Sequence, residues 1–349
     1  MTKGHKPRRG SMGVYPRKRA RSIVARVRNW VKVDEPKLLG FAGYKVGMLH
    51  VIRIEDNPNS PWYGQEIAKA ATVVETPPLL VVGLRAYKST VYGLKSLTEV
   101  WIDDLPKDLR RVFTVPKNKV MKNQLKKLEK LKPEISEVRA IVAMQPRLAG
   151  IHKKKPEVFE IGIGGSVEDA LNYAISKLGK TITIDEIFKE GDYIDVIAVT
   201  KGKGYQGPVK RFGVKILPRW HKHRKGHRRI GTVGPQKPSI MFRTPWAGQT
   251  GFHQRTEYNK RILKIGNLMP EPQGNEKKED VEKRIERDNI NPPGGWPHYG
   301  LVKSMYVLIE GSIPGAIKRL IKLRFPVRPI EAKREEPQLI YVSTREWGV

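Results

Sequence analysis

KGKGYQGPVKRFGVKILPRWHKHRKGHRRIGTVG (201–234), running on through QKPSIMFRTPWAGQTGFHQRT (236–256), is the stretch whose reading governs the rest of the chain. From Lys201 to Lys264 there are 17 Lys and Arg residues and one acid, Glu257. Glycine and proline are frequent and large aliphatics are few. Such a segment buries too little apolar surface to offset the entropy of ordering itself. Yet it lies mid-chain, where a disordered insert of this length is unusual. The composition therefore predicts a segment ordered by something outside the protein, and the charge makes that partner a polyanion.

The rest of the chain sharpens the contrast. The whole carries a formal net charge of +32 over 349 residues. Residues 1–37 hold 12 basic and 2 acidic residues, and residues 201–264 hold 17 and 1, so the other 248 residues supply only +6. A nearly balanced body with two cationic segments points to nucleic acid, because phosphate neutralisation with counterion release rewards clustered Lys and Arg. Cysteine is absent, which excludes disulfides and thiolate metal sites. No run approaches the ~18 apolar residues of a membrane span. The basic N-terminus lacks the apolar region of a signal peptide, and Pro7, Gly10 and Pro16 break the amphipathic helix a transit peptide needs.

The pattern outside the cationic segments is mainly β. KLLGFAGYKVGMLHVIRIEDN (37–57), punctuated by Gly40, Gly43 and Gly47, is followed by IAKAATVVET and PPLLVVGLRAYKST, with Pro77 and Pro78 between them. Short strands with Gly and Pro turns predict a β-barrel or sandwich. KNKVMKNQLKKLEKL (117–131) spaces Met121, Leu125 and Leu128 as a short basic helix whose lysine face is read as solvated. SVEDALNYAISKL is the clearest helix, with Ser166 as N-cap and Asp169 three residues on. Strands VRAIVAMQP and VFEIGIG around these helices predict an α+β insertion over 96–180. IDVIAVT reads as a strong strand, 276–289 as a solvated charged excursion, and YGLVKSMYVLIEGSIPGAIKRLIKLRFPV as two strands around Gly311 to Gly315. The basic run Lys318 to Arg328 is a further candidate for phosphate contact. No repeat of fixed period is evident.

Several motifs have plain alternatives. KGKGYQG (201–207) lacks the GxxxxGK[ST] pattern of a triphosphate loop; its glycines suit close approach to a phosphate chain, and a flexible strand exit is the alternative. GIGGS (162–166) has Val167 where a dinucleotide loop needs its third glycine, so it reads as a turn before a capped helix. His221, His223 and His227 resemble a metal set, but flanking cations disfavour a divalent ion. No Ser-His-Asp, paired-carboxylate or HExxH arrangement is legible, so no catalytic residue is assigned. PSIMFRTPWAGQTGFHQRT (238–256) sets Phe242, Trp246, Phe252 and His253 beside Arg243 and Arg255, a pattern suited to stacking on unpaired bases; a small hydrophobic knot is the alternative.

LGFAGYKVGM (39–48), DVIAVTKGKGYQGPVKR (195–211), GHRR…GTVG (226–234), AGQTG (247–251) and MYVLIEGSIPGA (305–316) stand together in an order and spacing that resembles the ribosomal protein L3 (uL3) family of the large subunit, in its archaeal/eukaryotic form. The resemblance spans nearly the whole chain. It implies a translation-protein-type β-barrel interrupted by an α+β insertion, with a long basic N-terminal arm and a central loop that penetrate rRNA. It implies a non-enzymatic role in the large subunit of cytoplasmic ribosomes, an association with the 3′ domain of the large rRNA, a loop directed at the peptidyl transferase centre, and early binding in subunit assembly. The division that follows is an arm over 1–37, barrel segments 38–95, 181–206 and 297–349, the insertion 96–180, the loop 207–255 and a connection 256–296. Relatives carry a tryptophan near the loop tip; here Phe242 takes its place with Trp246 four residues on, so the tip ring is one of these two.

The residues expected to meet rRNA are Lys6, Arg8, Arg9, Arg17, Lys18, Arg19 and Arg21 in the arm, with Lys201, Lys203, Lys210, Arg211, Lys215, Arg219, Lys222, Arg224, Lys225, Arg228, Arg229, Arg243 and Arg255 in the loop. Trp220, Phe242, Trp246, Phe252 and His253 are the candidate stacking or tip residues. The partners expected are large-subunit rRNA and neighbouring ribosomal proteins. No cofactor, metal, membrane or small-molecule substrate is expected.

Overall fold

The computed structural model describes residues 11–116, 120–220, 223–242, 244–270, 278–330 and 336–344. In chain order the elements begin with β1 (Gly40–Ile54), β2 (Glu66–Glu75), β3 (Leu79–Thr90), β4 (Gly93–Trp101), α1 (Met121–Lys130), β5 (Glu137–Met144), β6 (Val158–Gly162), α2 (Val167–Lys177) and β7 (Thr181–Ile182). They continue with β8 (Tyr193–Val199), β9 (Gly202–Gln206), α3 (Pro208–Phe212), β10 (Gly248–Gly251), β11 (Gln254–Asn267), α4 (Lys278–Asp288), β12 (Met305–Glu310), β13 (Leu320–Arg324) and β14 (Leu339–Val342). The protein is mainly β, as its short strand-like runs with Gly and Pro turns predict. It divides into two units, Met1–Ile23 with Val199–Arg255 and Val24–Ala198 with Thr256–Val349.

The larger unit holds two sheets. One has the order β13-β8-β11-β12-β2-β1-β14, and β13 pairs with β1 as well as with β8. The other has the order β4-β3-β5-β6, with β7 added on β3. Pro77 and Pro78 separate the sheets: β2 before them belongs to the first and β3 after them to the second. Sheet membership thus runs from Leu79 to Ile182 in the second sheet, beginning before the 96–180 span that the strand and helix pattern assigns to an insertion. β11, placed by sequence partly in a connection, is an internal strand of the first sheet. Both outcomes follow from strand pairing between residues far apart in sequence, which no local pattern carries.

Gly43 and Gly47 do not end strands; both lie inside the 15-residue β1. A Cβ on Gly43 would stand 2.6 Å from the Glu75 carbonyl oxygen, and one on Gly47 would stand 2.6 Å from the Trp296 ring. Glycine is required there because neighbouring atoms occupy the side-chain position. Tyr44, Val51, Val73, Val196, Ile262, Val307 and Ile321 contribute to the fully buried core.

Glu75 is a buried carboxylate that organises the end of β2. It accepts from the backbone N–H of Gly150 (2.9 Å), Lys303 (2.7 Å) and Ser304 (3.0 Å), from Ser304 Oγ (3.1 Å) and from the Tyr299 hydroxyl. Three backbone donors and two hydroxyls replace water around the charge. Burial, and then the Glu75 charge, push the Tyr299 hydroxyl well above the usual tyrosine value.

Ser166 caps α2 as its sequence predicts, its Oγ accepting from the Asp169 backbone N–H at 3.2 Å. The charged excursion at 276–289 is more than solvated. Within its described residues α4 buries Val281, Arg284 and Asp288. Asp288 pairs with Lys264 at 3.0 Å and accepts from the Asn267 N–H at 3.2 Å. Of the basic run Lys318 to Arg328, Lys322 and Arg324 are turned to internal use, while Lys318 and Arg328 stay exposed. Lys322 is buried with its Nζ 4.2 Å from the Phe159 ring centroid, and Arg324 is paired with buried Asp195 at 3.0 Å.

Candidate nucleic-acid interface

The smaller unit contains 22 Lys and Arg residues and no Asp or Glu; the larger holds 45 and 35. Its base is a short antiparallel ribbon in which Gly248 pairs with Gln206, Gln249 with Tyr205 and Gly251 with Gly202. Gly251 has φ 72°, and a Cβ there would fall on the Lys201 carbonyl, so this close crossing accepts only glycine. α3 follows β9, starting with Pro208 in its first turn and ending at Gly213 with φ 62°. Between α3 and β10 there is no α-helix or β-strand among the described residues.

Segments 11–23 and 199–255 are joined by their own contacts. The Ala20 N–H donates to the Phe252 carbonyl at 2.7 Å. His253 Nδ1 lies 2.7 Å from the Lys18 carbonyl, and its backbone N–H donates to Thr200 Oγ1 at 3.1 Å. The Tyr15 hydroxyl donates to the Phe242 carbonyl, and the two rings lie 5.7 Å apart. Arg17 lies 4.3 Å from the Tyr15 ring centroid and 5.0 Å from that of Phe212. Arg211 donates to the Trp246 carbonyl at 2.8 Å. With no carboxylate in the unit, backbone carbonyls and aromatic faces hold the half-buried cations in place.

The electrostatics record the crowding. Burial, then the charge of Arg17, push both Arg211 and Arg255 below the usual arginine value. Like charges gathered without counter-charge disfavour one another, and an anion entering the unit relieves that strain.

The expected residues fall into three groups. Lys18, Arg19, Arg21, Lys201, Lys203, Lys210, Lys215, Arg219, Arg224, Lys225, Arg228 and Arg229 are exposed. Arg17, Arg211 and Arg255 are half-buried and brace the unit from within. Lys6, Arg8, Arg9, Lys222 and Arg243 lie outside the described residues, as does His221. Among the rings, Phe242 is 73% exposed, Trp220 63% and Trp246 44%, leaving wide faces open. His253 departs from the expectation of a stacking residue: it is buried and committed to Lys18 and Thr200. Phe252 is half-buried beneath Arg19, 5.2 Å from its guanidinium. The aromatic that the sequence reading passed over is Tyr205, 76% exposed between the glycines of β9. Its signal was a large ring within a Gly-rich run, where no core lies close enough to claim it.

Among the described residues, no group of three or more His, Cys, Asp or Glu is placed to hold a metal. The site offers charge neutralisation, backbone approach and ring stacking.

Comparison with known proteins follows the same line. Residues 1–346 match the family described as ribosomal protein L3. The chain is 55% identical to large ribosomal subunit protein uL3 of Pyrobaculum aerophilum, over 98% of each chain. It is 49% identical to that of Archaeoglobus fulgidus over 98% of each. With that of Methanothermobacter thermautotrophicus it shares 45% identity, over 99% of this chain and 98% of the other.

Proposed function

This chain belongs to the ribosomal protein L3 family, and from that premise we propose that its carboxylate-free unit is the surface that holds large-subunit rRNA. Membership makes the protein a structural constituent of the large ribosomal subunit and not an enzyme. The observation that carries the RNA reading is the complete absence of acids from a unit holding 22 basic residues. A unit of that composition accumulates self-repulsion which only a polyanion removes, and each phosphate neutralised releases counterions. The exposed rings of Tyr205, Trp220, Phe242 and Trp246 add stacking faces for unpaired bases.

The finer plan rests on the family's architecture. The succession of pairings β13-β8-β11-β12-β2-β1, with β13 returning to β1, supports a translation-type barrel. The sheet built from β3 to β7 is then the insertion. The globular part sits on the 3′ domain of the rRNA among neighbouring large-subunit proteins. The 207–253 loop extends toward the peptidyl transferase centre, with the Phe242 and Trp246 region as its tip, and the protein joins early in assembly. Each half of that loop, roughly 23 residues at ~3.3 Å each, spans up to ~75 Å when extended.

Filter binding of the purified chain to large-subunit rRNA, across a salt series, tests the reading. The log–log slope should fall by several on removal of residues 215–255, at about 0.7–0.9 for each phosphate no longer neutralised. An unchanged slope contradicts the assignment. Equal retention of duplex DNA and rRNA at roughly 0.3 M salt would favour a general nucleic-acid binder instead.

A further inference from the structure

The hairpin of β3 and β4 ends in a two-residue turn, Val91–Tyr92, closed by Thr90 Oγ1 donating to the Gly93 carbonyl at 2.6 Å. Gly93, at φ 104°, provides the backbone freedom that lets so short a turn close. The turn itself asks for small or polar residues, yet Val91 is 99% and Tyr92 101% exposed, with Leu94 also open. Rings and branched aliphatics held fully in water add nothing to this fold.

The surface leading to that tip is cationic. α1 packs on β4 through Met121, Leu125 and Leu128, and Gln124 Oε1 accepts from the Trp101 N–H at 2.8 Å. From there the helix runs toward the tip: Ser136, just beyond it, donates to the Tyr87 carbonyl, and Lys88 pairs with Glu134. Its outward face carries Lys122, Lys126 and Lys130 at successive i, i+4 positions, together with Lys127, and Lys95 stands exposed on β4. None of these five lysines is in an ion pair among the described residues, and the only acid on α1 is Glu129. A rise of ~1.5 Å per residue sets the i, i+4 lysines ~6 Å apart along the axis, a spacing comparable with that of successive phosphates on one strand.

We propose that α1 and the β3–β4 hairpin form a second rRNA-binding surface, on the larger unit, in which Lys122, Lys126 and Lys130 follow one phosphate strand and Tyr92 stacks on an unpaired base at its end. Charge decides for RNA over a protein partner: a protein surface fitting this row would need a matching row of carboxylates, whereas a nucleic-acid strand supplies that period as a matter of course. The proposal rests on the ribosomal reading above but uses none of the residues that carry it.

The test uses the full chain with large-subunit rRNA in filter binding over a salt series. Changing Lys122→Gln, Lys126→Gln and Lys130→Gln together should lower the log–log slope by about two. Tyr92→Ala should weaken binding about fivefold or more and leave the slope alone. All four side chains are exposed, so circular dichroism should match the unaltered chain. A photocrosslinking residue at position 92 in assembled subunits should capture rRNA. An unchanged slope with Tyr92→Ala within twofold of the unaltered chain overturns the proposal, and so does crosslinking to protein alone. Failure of this surface leaves the salt slope of the 215–255 deletion as predicted; failure of the ribosomal reading removes salt-dependent rRNA binding from the unaltered chain.

Discussion

In the segments 1–23 and 199–255, 22 basic side chains have no carboxylate of their own to face, whereas the remaining 269 residues set 45 basic residues against 35 acidic ones. The larger unit sets carboxylates against the arginines Arg53, Arg261 and Arg324 that it buries. Arg53 lies within reach of Glu55, Asp56 and Glu310, and Arg261 is held by both oxygens of Asp56. Burial raises the Asp56 pKa, but the hydrogen bond and charge of Arg261 outweigh it and leave the carboxyl below its usual range. In the smaller unit Arg17, Arg211 and Arg255 rest on carbonyls and rings instead. The difference teaches a working rule: a cation compensated inside the chain belongs to the fold, and an exposed one left without a carboxylate is the candidate for an outside anion.

The hardest test of the rule is at Asp195, which is fully buried and accepts from Arg324 through Nε (3.2 Å) and Nη2 (3.0 Å), and from the N–H groups of Asn259 (3.2 Å) and Val327 (3.1 Å). Asp195→Ala strands a buried guanidinium and two amide donors, and should cost roughly 3–5 kcal/mol. Thermal unfolding of the full chain measures it; a midpoint near that of the unaltered protein would show the pair to be dispensable.

Lys322 is an exception within the larger unit, a buried amine pushed down to about 7 by burial, with Glu160 opposing only in part. Its folded value lies below the unfolded 10.5, so stability is whole above the unfolded value and falls as pH drops toward 7, below which the penalty is constant. Lys322→Met should therefore stabilise by roughly 1–4 kcal/mol near pH 7, with the gain fading toward pH 10. Denaturation at pH 6, 8 and 10 distinguishes this from a gain independent of pH, which would mean packing alone is responsible.

A smaller effect sharpens the neutral side of the comparison. Ser166→Ala removes the acceptor for the Asp169 N–H and should cost about 1 kcal/mol without touching RNA affinity. Smallest for stability is the pair Arg228→Gln and Arg229→Gln, both exposed, which should stay within about 0.5 kcal/mol of the parent. The same pair should lower the rRNA salt slope by about 1.5, and a stability loss in place of that change would place these arginines in the fold.

Much of the fold was legible because its signals are local. The caps and apolar spacing of α2, the short helix α1 and the strands β5, β6, β8, β12 and β13 all follow from neighbours a few residues apart. The extent of the second sheet was not, since Pro77 and Pro78 mark a break without saying which strands lie on either side. By composition the arm is one basic segment over 1–37. Its second half behaves differently: Ala25 and Val27 are buried, and the Asn29 carbonyl accepts from Arg324 at 2.7 Å. In the candidate site the cations and rings were visible as residue types, but the burial of His253 depends on Lys18, 235 positions away.

Sequence alone determined the segregation of charge, the mainly β body and the family, because composition and ordered motifs are properties of a line of residues. Tertiary structure decided which cations are spoken for. Arg324 reaches Asp195 across 129 positions and Arg261 reaches Asp56 across 205, so two arginines that look available in the sequence are internal. Whether a charge faces water or a carboxylate is a question of proximity in space, and chain folding answers it by burying partners together that the sequence keeps far apart.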